Sequence, residues 1–82
     1  MVLDTRSRSI LVKAWSYIAE KRGLEIGKMD EGSLMALGKQ AERRFWTLHH
    51  ACNFFEAAID KGLTSLPEIA RNIRTVYRRE KA

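Results

Sequence analysis

The apolar positions of this 82-residue chain recur at helical spacing in three blocks, separated by two clusters of breaking residues. In the first block Leu11, Ala14, Trp15, Ile18 and Ala19 fall on one stripe of a predicted helix over about residues 6–22, with Ile10 and Tyr17 flanking it. Lys21 and Arg22 occupy its last turn, where cations suit the helix dipole, and Gly23 can take the left-handed exit conformation. Leu24 and Ile26 in the loop beyond are expected to tuck under the helix as anchors.

The second block runs over about residues 31–61 without a proline, and Asp30 is a natural N-cap for it. Leu34, Gly38, Ala41, Phe45, Leu48, Cys52, Phe55 and Ile59 alternate spacings of three and four, a heptad-like pattern that predicts one uninterrupted helix. At 1.5 Å per residue it would be roughly 45 Å long. Gly62 stands where its C-terminal cap is expected. From Ala51 to Ile59 this helix is apolar on more than one side, which calls for cover on more than one side.

The third block opens with Ser65-Leu66-Pro67-Glu68, a capping box with proline in the first turn, and predicts a helix over about residues 66–80. Leu66, Ile69, Ala70, Ile73, Val76 and Tyr77 form its apolar stripe; Arg71, Arg74 and Arg78 recur on the opposite side.

These elements predict a single all-α domain over residues 1–82: a long central helix flanked by two shorter ones. The four-residue link 62–65 folds the third helix antiparallel onto the C-terminal half of the central one, and the first helix reaches its N-terminal half. Each outer helix covers about half of the rod. The uncovered remainder predicts a homodimeric helical bundle in which Phe45, Leu48, Cys52, Phe55 and Ile59 pair between subunits.

Composition fits this picture. Hydrophobic residues make up 45% and charged ones 30%, the balance of a globular chain rather than a disordered tail. Cys52 is the only cysteine, so stability has to come from helix packing or association and not from an internal disulfide. A lone thiol suits a reducing compartment. With no basic region leading into an apolar run, and no window near the ~20 apolar residues of a membrane span, the expectation is a cytoplasmic protein. The net charge of +5 is concentrated in the two outer segments, with an acidic stretch at Glu25, Asp30 and Glu31 between them.

Candidate chemistry is thin. His49, His50 and Cys52 offer two ligands on one helix face where a tetrahedral metal site needs four. Glu42 and Glu56 stand seven residues either side of His49, about 10 Å away along the axis. No metal and no cofactor is expected. Cys52 lies on the apolar stripe, which hides a thiol, and the glycines form no phosphate-cradling loop, so an enzyme is not expected either.

Two surfaces remain. Trp46, His50 and Phe54 are spaced i, i+4, i+8, with Arg43 and Lys39 continuing the face; they are either covered by an outer helix or form an aromatic and arginine patch for a protein partner. Arg71, Arg74, Arg78 and Arg79 form either a solvated face suited to the helix dipole or a phosphate-contacting strip, which Arg6 and Arg8 could extend. A helix-turn-helix is not expected, because the helical period runs through Asn72-Ile73-Arg74 without the required turn. The sequence thus points to a non-enzymatic, homodimeric protein-binding module (an adaptor, inhibitor or regulatory subunit). The alternative is a basic nucleic-acid-binding accessory protein.

Overall fold

Helix ends explain most of the architecture. The computed structural model describes residues 5–27, 29–44 and 46–76. Among them lie four α-helices, α1 (Thr5–Lys21), α2 (Glu31–Arg44), α3 (Leu48–Asp60) and α4 (Leu66–Arg71), and the chain is helical again over 73–76. Helix α1 closes with Leu24 N–H on Ala19 C=O (2.8 Å) and Gly23 N–H on Glu20 C=O (3.2 Å). Gly23 sits at φ 72°, a conformation that costs a residue with a Cβ about 1 kcal/mol or more. Helix α3 ends the same way: Gly62 is at φ 90°, Leu63 N–H bonds Ala58 C=O (3.1 Å) and Gly62 N–H bonds Ile59 C=O (2.8 Å). Asp30 caps α2, its Oδ2 accepting from Ser33 N–H at 2.9 Å, and Ser65 caps α4 by accepting from Glu68 N–H.

The single helix expected over 31–61 is two helices. Trp46 N–H reaches back five residues to Ala41 C=O (2.9 Å) and closes α2, in the manner of a Schellman exit. Thr47 then leaves the helical region (φ −96°, ψ 176°) and starts α3 as its N-cap. Its Oγ1 accepts from His50 N–H at 3.3 Å, while its own N–H donates to His50 Nδ1 at 3.3 Å. This is a reciprocal capping box with histidine where glutamate or glutamine is usual. The caps satisfy groups that a broken helix would leave bare. The gain is tertiary: a straight rod of about 45 Å would not fit a domain whose longest extent is 30 Å.

Folding back at Thr47 gathers one core from all four helices. Leu11, Ala14, Trp15, Leu34, Leu37, Ala51, Phe55, Ala58 and Ile69 are fully buried, and Ile18, Phe54 and Leu66 nearly so. Helix α1 packs most extensively on α3 and next on α2. At the C-terminal ends of α1 and α3, Arg22 bonds Glu56 (3.2 Å) and Asp60 (2.6 Å). At the other end Arg6, Ser7 and Ile10 share a cleft with Trp46 and Thr47, so the two helices run in the same direction. Trp15 Nε1–H donates to Ile26 C=O (2.9 Å), which ties the following loop to α1. Leu24 tucks under as expected, whereas Ile26 contributes its carbonyl and leaves its side chain 39% exposed.

Two further expectations change with the break. Helix α4 packs chiefly on α2, not along the C-terminal half of a central rod, because α1 already occupies the inner face of α3. The stripe assigned to pairing between subunits is partly used within one chain: Phe55 is fully buried against Trp15 (ring centroids 5.4 Å apart), and Ile59 is half-buried on the core. Phe45 lies outside the described residues, as do Arg78 and Arg79 and the last turn of the expected third helix.

Candidate functional site

The aromatic patch read from the sequence is not assembled as an exposed surface. Phe54 is 2% exposed, and Trp46 is half-buried with its ring 4.8 Å from that of Phe54. Phe54 in turn meets Phe55 edge-on at 5.7 Å, so rings run continuously from the corner at Trp46 into the core at Trp15. His50 is exposed but turned into the cap of α3, and Arg43 is exposed on α2. The cause is the break itself. Trp46 belongs to neither helix, so the i, i+4, i+8 register with His50 and Phe54 does not hold.

What the fold does bring together lies on the opposite, outer side of α3. Leu48, 46% exposed, and the half-buried Cys52 face Tyr17 of α1, which is 61% exposed. With Lys13, Ile18, His49, Asn53 and Glu56 they line a groove of about 540 Å³ between α1 and α3. Leu48 and Cys52 are the part of the predicted self-association stripe that stays accessible. Tyr17 was legible only as a flank of the α1 stripe; the available signal was its place between Lys13 and Lys21, four residues from each on the polar side.

The polar rim of the groove is uneven. Glu56 is held by Arg22 at 3.2 Å and by Lys21 at 3.9 Å. Lys13 is exposed and makes no ion pair among the described residues, while His49 Nε2 lies 3.2 Å from Asn53 Nδ2. Burial pushes the Cys52 thiol above its ordinary range, and the Glu56 carboxylate adds to this against a small opposing effect of Lys21. A protonated thiol is a weak nucleophile. The groove thus combines apolar area and charge with a thiol held toward its protonated form. Among the described residues no three His, Cys, Asp or Glu side chains converge as metal ligands.

On the other candidate surface, Arg71 and Arg74 are exposed and make no ion pair among the described residues. A second cleft, about 710 Å³, lies between the Leu24–Gly27 loop and Thr64–Pro67, walled mainly by loops. No helix among the described residues is long and apolar enough to cross a membrane. Compared with known proteins, the chain matches no family model, no curated relative and no solved structure.

Proposed function

We propose that this chain is a small non-enzymatic module that works by binding another protein, as an adaptor, inhibitor or regulatory subunit, through the groove between α1 and α3. One observation carries the reading. Among the described residues three large hydrophobic residues are notably exposed, and two of them, Tyr17 and Leu48, come from different helices to the same groove. Isolated exposed apolar residues need no explanation, but convergent ones beside a thiol and a charged rim have the make-up of a contact surface. Tyrosine is also among the residues that most often anchor interfaces.

A photoreactive benzophenone residue at position 17, compared with one at Lys39 on α2, tests this in the native host. Adducts to protein from position 17 that vanish with Leu48→Asp support the reading. Equal labelling from both positions, or none from position 17, removes it. A second copy of the chain counts as a protein partner here, and sedimentation velocity of wild type and Leu48→Asp identifies that homodimer.

A second reading rests on Arg71 and Arg74, exposed and without an ion pair among the described residues, in a chain of net charge +5: an accessory protein that contacts nucleic-acid phosphates. Anisotropy of labelled DNA and RNA should then fall steeply between about 50 and 200 mM salt and weaken with Arg71→Ala and Arg74→Ala. Binding that is absent at the lower salt discards it.

A further inference from the structure

The charge around the groove is lopsided, and the imbalance bears on what the groove accepts. Because α1 and α3 run the same way, the end holding Arg22 and Lys21 is also the end holding Glu56 and Asp60. Carboxylates and cations match there: Arg22 bridges both acids, at 3.2 Å and 2.6 Å, and Lys21 adds a contact of 3.9 Å. Toward the start of α3 the lining carries Lys13 and His49 and no acidic side chain. Lys13 makes no ion pair among the described residues, and the ring of His49 meets the Asn53 amide. Between the two ends lie Tyr17, Leu48 and Cys52. A neutralised end, an apolar middle and an end with Lys13 and no carboxylate in its lining describe one continuous strip.

The strip spans residues 48 to 56 of α3, about 12 Å of helix axis. Its walls are helices, so it offers no strand edge for an extended peptide to extend. Ridges at i and i+4 on both walls (Lys13 and Tyr17; Leu48 and Cys52) leave a furrow of the kind that takes the apolar anchors of a third helix. We infer that the groove docks an amphipathic helix of another protein, with apolar anchors seated between Tyr17 and Leu48 and a carboxylate opposite Lys13. This rests on the protein-binding reading above and adds the chemistry of the occupant. A second copy of the chain supplies that chemistry poorly. It is itself a +5 chain, and the acidic residue it would bring from this face, Glu56, is already held by two cations.

Two fluorescein-labelled synthetic helices of about five turns test the inference by anisotropy on the full chain. They share leucines at i, i+3, i+4 and i+7 and differ only in flanks, one glutamate-rich and one lysine-rich. The wild type should bind the acidic helix saturably, at least about tenfold tighter than the basic one at low salt, with the preference shrinking as salt is added. Lys13→Glu should erase or reverse the preference, and Leu48→Asp should abolish binding of both, each with an unchanged circular dichroism spectrum. If Leu48→Asp unfolds the chain, Tyr17→Ala serves in its place and should weaken the acidic helix at least about tenfold. Equal binding of the two helices, or indifference to these variants, overturns the inference. Failure of both helices to bind overturns it too, and leaves the protein-binding reading intact only if the crosslinker at position 17 still captures a protein. Sedimentation as a dimer that Leu48→Asp dissociates and the acidic helix cannot displace assigns the groove to a second copy, and also overturns it.

Discussion

The apolar residues of helix α3 meet two fates. On the inner side Ala51, Phe54, Phe55 and Ala58 are all at most 2% exposed, covered by α1 and the rest of the core. On the outer flank, toward the groove, Leu48, at the start of the line it shares with Phe55, remains 46% exposed and Cys52 half-buried. Helix α1 repeats the division two residues apart: Trp15 is fully buried with its indole N–H satisfied, and Tyr17 is 61% exposed. Residue type does not separate the two sets. Which neighbour the backbone brings alongside does, and that is decided by the break between α2 and α3. The inner side is packed into the core and the outer side stays accessible.

The largest expected effect sharpens this division. Phe55→Ala removes a ring packed on Trp15 and Phe54 and should cost about 3–5 kcal/mol in urea unfolding, enough to unfold much of a small domain. Leu48→Ser, on the outer side, should stay within about 0.5 kcal/mol; a comparable loss would erase the distinction. Next comes the pivot. Thr47→Ala deletes the acceptor for His50 N–H and should cost about 1 kcal/mol, with Thr47→Ser restoring most of it. If Thr47→Ala is neutral, the cap does not hold the corner.

The smaller effects concern the thiol. Alkylation of Cys52 at about pH 8 should run slower in the folded chain than in urea, because partial burial raises its pKa and restricts access. The sign of the pH dependence follows. A thiol whose folded-state pKa is raised binds its proton more tightly when folded, so its contribution is complete below the ordinary thiol range near 8.5 and is lost as pH rises through the folded value. Relative to Cys52→Ala, the wild type should thus lose a little stability as pH rises above the ordinary thiol range. A gain as pH rises there would contradict the placement of Cys52.

The helical segments were legible in the sequence, though 31–61 is two helices and the third helix, expected to run through Asn72 without a turn, ends at Arg71 with Asn72 as its C-cap before the chain turns helical again over 73–76; legible too were the ends marked by specific chemistry, Gly23 and Gly62 at exits, Asp30 and Ser65 at entries. Each carries a local signal that needs no tertiary context. The corner at Thr47 had none of that kind. It lacks glycine and proline, its N3 residue is histidine rather than an acid, and the heptad-like spacing of Leu34 through Ile59 runs straight across it. Intrinsic preference for a continuous helix there is worth tenths of a kcal/mol per residue, less than what gathering Phe54 and Phe55 into a shared core returns. With the rod taken as continuous, Trp46, His50 and Phe54 fell on one imagined face, Phe55 was placed between subunits, and α4 was laid along the wrong partner. Tyr17 was underweighted because its significance depends on α3 lying beside α1, which single-sequence spacing does not reveal.

The corner at Thr47 is what everything else depends on, and a distance measures it directly. Spin labels at Glu31→Cys and Asp60→Cys, in a Cys52→Ala background, stand near the start of α2 and the end of α3. The folded-back arrangement predicts a distribution inside the 30 Å longest extent of the domain. A distribution centred near about 44 Å, the length of 29 helical steps, would mean one unbroken rod, and would return Phe55 and Ile59 to the surface between subunits.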